Sequence, residues 1–168
     1  WLATYLGETA GTPLETGALA TSGFWLALTA GRLLAAAASP RLGAPTLLLV
    51  SLCGALAGGI GLVLGIASAP LTVAAAILLG LSFGPIYPTT IALVTVRFPA
   101  GTGTVTGIVM TLGSLGGAIL PWLYGILILQ VSPLAGIVLV PVSVAAMLGL
   151  WLVARRLGWR APAAPVPV

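Results

Sequence analysis

Leu71-Thr-Val-Ala-Ala-Ala-Ile-Leu-Leu-Gly80-Leu-Ser-Phe-Gly-Pro-Ile-Tyr-Pro-Thr-Thr90-Ile-Ala-Leu-Val-Thr-Val96 contains no charged residue. A helix needs about 20 largely apolar residues to cross the hydrocarbon core of a bilayer, and this run exceeds that length. A transmembrane β-strand would need only about ten residues alternating between apolar and polar. The run is continuously apolar and more than twice that length, so it reads as a helix in lipid. Pro85 and Pro88 lie inside it. Proline lacks an N–H and its ring crowds the carbonyl four residues back, so the pair predicts a kink. Freed backbone groups are tolerated in a membrane where they face protein or a wet cavity.

Four further runs of the same kind flank this one, at about 17–38, 46–67, 104–130 and 134–157. The opening stretch, Trp1-Leu-Ala-Thr-Tyr-Leu6, reads as the last turns of a further helix, and the chain as a fragment. Between the runs lie stretches rich in Gly, Pro and polar residues. Residues 7–16 read as a wet loop, 39–45, 68–70 and 131–133 as short turns, and 97–103 as a loop. The tail, 158–168, reads as disordered, being rich in Pro and Ala. The expected domain is thus a half-bundle over 1–157 followed by a tail.

Composition agrees. Sixty per cent of the chain is apolar and 5% is charged, against about 25% charged in soluble domains. The net charge of +4 is not the clustered basic face of a nucleic-acid reader, so no nucleic-acid partner is expected. Successive spans must alternate in direction. On that count Arg32, Arg41, Arg97, Arg155, Arg156 and Arg160 share one side, and Glu8 and Glu15 the other. The positive-inside rule makes the arginine side cytoplasmic, which puts the C-terminus in the cytoplasm.

The missing residue types exclude whole classes of chemistry. The chain has no His, Asp or Lys, one cysteine (Cys53), and two acids in one loop. A Ser or Cys nucleophile needs an activating base. A metal site needs clustered His, Cys or carboxylates. The sequence therefore predicts no enzyme, no metal and no cofactor, and Cys53 reads as a small hydrophobe. Small residues dominate the spans, as at Gly54 and Gly58, Gly61 and Gly65, Gly80 and Gly84, Gly103 and Gly107, and Gly113 and Gly117. Such spacing lets helix backbones approach in lipid and predicts a tight bundle. Thr21, Trp25, Leu28, Thr29 and Arg32 share one helical face, and Gly107, Thr111, Ser114, Ala118 and Trp122 another. A shared wet cavity is one reading of these faces. Hydroxyls bonded back to their own helix are the other.

Trp1-Leu-Ala-Thr-Tyr-Leu6, Gly23-Phe-Trp-Leu-Ala-Leu-Thr-Ala-Gly-Arg32, Ser82-Phe-Gly-Pro-Ile-Tyr-Pro-Thr89 and Gly113-Ser-Leu-Gly-Gly-Ala-Ile-Leu-Pro-Trp122 occur in that order. Together they resemble the C-terminal half of a major facilitator superfamily transporter. Within it, they are most similar to the fucose-permease-like sugar:proton symporters. The resemblance implies an all-α membrane protein. Its six-helix half would comprise the last part of helix 7 and helices 8 to 12 of a twelve-helix fold. A missing N-terminal six-helix half and the lipid bilayer are the implied partners, in a multi-pass cell (plasma or inner) membrane protein.

The resemblance also assigns roles. Helices 7, 8, 10 and 11 line the family's cavity, which points to Tyr5, Trp25, Thr29, Tyr87, Thr111, Ser114 and Trp122 as substrate-binding. Gly31-Arg32 with Arg41 resembles the cytoplasmic loop motif that helps clamp the two halves, although its usual acidic residue is absent. The implied function is alternating-access transport of a small neutral polar solute such as a sugar, coupled to protons through a carboxylate in the other half. The alternatives are an exporter of drugs or metabolites, and a non-transporting membrane assembly subunit.

Overall fold

The computed structural model describes residues 1–158, and those residues are helical with short connections. The order is α1 (Leu2–Ala10), α2 (Leu14–Leu42), α3 (Ala44–Leu64), α4 (Ala69–Arg97), α5 (Thr102–Ile126) and α6 (Pro133–Arg156). A 3₁₀ turn, Pro99–Gly101, leads into α5, and a π turn, Leu127–Val131, follows it. Five helical stretches are long and apolar enough to cross a membrane: Leu14–Leu42, Ala44–Leu64, Ala69–Arg97, Pro99–Val131 and Pro133–Arg156. The expected tail, with Arg160, lies outside the described residues apart from Gly158.

The ends of the helices differ from the sequence reading at several places; of the expected loop 97–103, for example, only Phe98 lies outside a helical turn. Residues 7–16 do not form a loop. Gly7, Glu8, Thr9 and Ala10 continue α1, and Glu15 lies in the first turn of α2. The break is confined to residues 11–13, where Gly11 takes a left-handed conformation (φ 60°) and its N–H bonds the Gly7 carbonyl. The polar side chains of Glu8 and Thr9 do not oppose a helix, whereas the positive φ at Gly11 ends it. Residues 39–45 are likewise helical except for Gly43. α2 runs through Pro40 to Leu42, and Gly43 (φ 68°, ψ 154°) alone separates it from α3. Arg32 lies inside α2 with residues 33–42 still to follow.

α4 is the centre of the packing. α2 and α3 both lie along it, and glycines set the approach. Gly31 on α2 faces the Leu81 carbonyl so closely that no Cβ fits, and Gly84 on α4 is held the same way against the Leu28 carbonyl. On the other side Gly58 packs against the backbone of Leu79 and Gly54 against the Ser82 hydroxyl. This is the close contact that small residues permit in lipid. α3 also meets α6, where Gly59 rests on Pro141. Leu52, Ala55, Leu62, Ala76, Leu79 and Val144 fill the centre.

α5 departs from the expected tight bundle. Of its residues only Gly125 is buried. Gly103, Gly107 and Gly117 have nothing within contact distance of a Cβ. The glycine spacing of this span thus marks an open face, whereas the same spacing on α3 and α4 marks helix crossings. Spacing alone does not distinguish the two.

The short α1 is anchored at its start and its middle. The Trp1 ring fills the space beside Gly125 of α5, and the Tyr5 hydroxyl donates a 2.9 Å hydrogen bond to the Leu62 carbonyl. Leu62 is among the last residues of α3, whose terminal carbonyls have no partner within the helix. Tyr5→Phe leaves that carbonyl unpartnered in an apolar core, at about 1–2 kcal/mol. The expected result is a lower thermal unfolding midpoint for the purified protein. An unchanged midpoint would show the bond to contribute nothing.

Candidate functional site

Two cavities follow the α6 face of the bundle. The larger, about 440 Å³, is bounded by Trp1, Phe24, Trp25, Phe83, Tyr124 and Met147, with Thr21 and Ser143 among its few hydroxyls. The smaller, about 280 Å³, lies towards the arginine end and is bounded by Ile86, Thr90, Leu93 and Trp151. Met147 borders both. The Trp151 indole N–H is buried without a partner. No charged side chain borders either cavity. Among the described residues no group of His, Cys, Asp or Glu is placed to hold a metal.

The residues read from the sequence as substrate-binding divide into two sets. Tyr5 is fully buried and bonded to Leu62, so it offers a solute no surface here. Its expected place on the cavity wall is replaced by a place in the core, because its hydroxyl is drawn to the end of α3. The other six, Trp25, Thr29, Tyr87, Thr111, Ser114 and Trp122, are all exposed. Trp25 borders the larger cavity and meets Phe24 edge to face at 5.6 Å. The Tyr87 ring reaches α5, where a Cβ on Gly113 would stand 3.8 Å from its Cε2. α4 and α5 thus bring Tyr87 beside the turn that carries Thr111 and Ser114. Thr29, Thr111, Ser114 and Trp122 do not border the larger cavity.

The hydroxyls keep to their own helices. Thr29 donates to the Trp25 carbonyl at 3.1 Å, Thr111 to Gly107 at 2.9 Å, and Thr21 to Gly17 at 2.9 Å. Each bond runs to the carbonyl four residues back. The O–H is thereby occupied, while the oxygen remains free to accept. Phe24, Phe83, Tyr124 and Ser143 border the cavity and were not singled out from the sequence. Phe24 adjoins the Trp25 stripe, which was the available signal. Phe83, Tyr124 and Ser143 sit in runs where every position is apolar or small, so no periodicity marks them.

The loop-motif residues also separate. Gly31 is buried at the α2–α4 crossing. Arg32 Nε donates to the Gly84 carbonyl of α4 at 3.4 Å. Arg41 is exposed in the last turn of α2, where a cation suits the negative end of the helix dipole. Pro85 is buried and Pro88 exposed, and α4 remains helical through both.

A helical membrane half-bundle with an uncharged, aromatic-lined interior is now in view. Residues 1–167 match the profile of the Major Facilitator Superfamily. The chain belongs to the Major Facilitator Superfamily. No curated protein and no solved structure gives a significant match. Superfamily membership makes this a multi-pass membrane transport protein, and the all-helical architecture is that of half a superfamily fold. Its members are transporters rather than enzymes.

Proposed function

We propose that this superfamily chain is one half of a secondary active transporter that moves a small neutral polar solute, such as a sugar, by alternating access. The observation that carries the reading is the uncharged wall. Trp25, Tyr87 and Trp122 expose aromatic rings, and the neighbouring hydroxyls of Thr29 and Thr111 keep an oxygen free to accept. Aromatic rings stack on the apolar faces of a pyranose, and hydroxyl oxygens receive its O–H groups, whereas an ion would find no counter-charge. The wall would be completed by a second six-helix half, the two enclosing the solute near the midplane.

Proton coupling, on this reading, rests with a carboxylate of that second half. Glu8 and Glu15 are the only acids of the chain and both lie by the α1–α2 connection. The arginines of the opposite end face the cytoplasm by the positive-inside rule, in a cell membrane. The fucose-permease-like subgroup fits this substrate chemistry.

Uptake of a panel of radiolabelled neutral sugars into proteoliposomes, with and without an imposed proton gradient, tests the proposal. Accumulation of at least one sugar that collapses on dissipating the gradient is expected. Well-incorporated transporter that accumulates none of them would overturn the sugar reading. A second reading, an exporter of apolar drugs or metabolites, is favoured by the larger cavity, where Phe24, Phe83 and Met147 dominate the wall. Transport of lipophilic compounds with no sugar uptake would select it. The assembly-subunit reading loses its support once the chain is placed in a transporter superfamily.

A further inference from the structure

We infer that Arg32 stands in for the backbone N–H that Pro88 lacks, and thereby fixes the double-proline segment of α4 and the Tyr87 ring it carries. In a regular helix the N–H of residue 88 would bond the carbonyl of Gly84. Proline has no N–H, so that carbonyl is released. Arg32 Nε, from α2, donates to it at 3.4 Å. The same reasoning applies one step earlier. Pro85 releases the Leu81 carbonyl, and that carbonyl lies against the Cα of Gly31. The two adjacent residues of α2, Gly31 and Arg32, thus face the two carbonyls that the two prolines of α4 set free. One is met by close backbone approach and the other by a hydrogen bond.

The correspondence is particular to this crossing. Pro40, Pro121 and Pro141 also lie inside helices. Among the described residues, no side chain from another helix donates to the carbonyls they release, at Ala36, Gly117 and Ile137. An unpartnered carbonyl in a dry environment is costly, and a donor held by a neighbouring helix both satisfies it and fixes the local bend. Tyr87 lies between the prolines and presents its ring to α5. Arg32 is therefore a positioning residue that sets the direction of Tyr87 without touching a solute. The assignment of Arg32 to the Gly84 carbonyl is independent of what is transported. The consequence for transport rests on Tyr87 belonging to the solute wall.

The test is thiol labelling of Tyr87→Cys in the purified protein, in a Cys53→Ser background because Cys53 is itself exposed. Three changes are compared. Arg32→Leu removes the donor. Arg32→Gln places an uncharged amide N–H the same number of bonds from the backbone as Arg Nε. Pro88→Ala restores the N–H of the helix itself. Arg32→Leu is expected to change the labelling rate several-fold and to lower the unfolding midpoint by on the order of 5 °C. Arg32→Gln is expected to keep both near the parent values. In the Pro88→Ala background, Arg32→Leu is expected to have no further effect. If Arg32→Gln behaves like Arg32→Leu, the role is one of charge and the assignment fails. If Arg32→Leu has the same effect with and without Pro88, the assignment fails also. Unchanged uptake kinetics for Arg32→Leu in the protein that keeps Tyr87, with the expected labelling pattern, would sink only the solute-wall reading.

Discussion

Gly31→Val is expected to prevent stable assembly of the α2–α4 pair and to leave little folded protein in the membrane. The Cβ of any other residue would be driven into the Leu81 carbonyl. The obstruction is backbone, which cannot rotate aside as a flexible side chain can. Overpacking a close-packed interior costs about 1–3 kcal/mol and occasionally more. Here the two helices would have to separate, which also withdraws Arg32 from the Gly84 carbonyl and Gly84 from the Leu28 carbonyl. A loss of about 3 kcal/mol or more follows, a large share of a marginal stability. Gly107→Val on α5 is the matched control, since nothing lies within contact distance of a Cβ there. It should change stability by no more than about 0.5 kcal/mol. Monodisperse yield and thermal midpoint, read side by side for the two variants, decide the matter. Equal behaviour of the two would show that the α2–α4 crossing is not as close as described.

Trp25→Ala and Tyr87→Ala are each expected to raise the KM for the transported solute by about tenfold while leaving the protein folded. Both rings are exposed, at 60% and 45% of their surface, so their removal opens no cavity in the core. An aromatic ring stacked on a solute contributes on the order of 1 kcal/mol beyond its buried area, and about 1.4 kcal/mol corresponds to a factor of ten in affinity. The loss should fall on KM more than on the maximal rate, because the rings hold the solute and perform no chemistry. Initial uptake rates across a solute concentration series provide the measurement. A KM unchanged in both variants would remove these residues from the solute path.

The spans were legible because the bilayer imposes a length on every crossing segment, and no residue type here conceals it. Runs such as 46–67 and 134–157 match α3 (Ala44–Leu64) and α6 (Pro133–Arg156) to within a few residues. The ends were legible where a capping residue and a proline mark them, and not where a single positive-φ glycine does, as at Gly11 and Gly43. Ser132, for instance, accepts the Ala135 N–H and Pro133 follows it, an ordinary helix start. Gly7-Glu-Thr-Ala10 and Ser39-Pro-Arg-Leu42 look like loops in composition, yet both are helical. Polar residues at the edge of a membrane span are compatible with either state.

The site was less legible, because side-chain partners come from other helices. Nothing in the sequence draws Tyr5 to the end of α3, fifty-seven residues away. Nothing in the spacing separates the packed pair Gly80 and Gly84 from the open pair Gly103 and Gly107. The two prolines were visible at once. Their answering partners, Gly31 and Arg32, were also visible, but as a loop motif. Only the parallel register of α2 and α4 brings the two pairs together.

Gly43 gives the bundle a mechanical property. A connection of one residue has no slack, so α2 cannot tilt or slide without pulling the start of α3 with it. α3 is in turn wedged between α4 and α6 through Gly58 and Gly59. A load applied at the arginine end of α2 is therefore carried across four helices before any connection can stretch. Rocking of this half is therefore expected to carry α2, α3, α4 and α6 together, whereas α5, with Gly125 as its one buried residue, is held less closely.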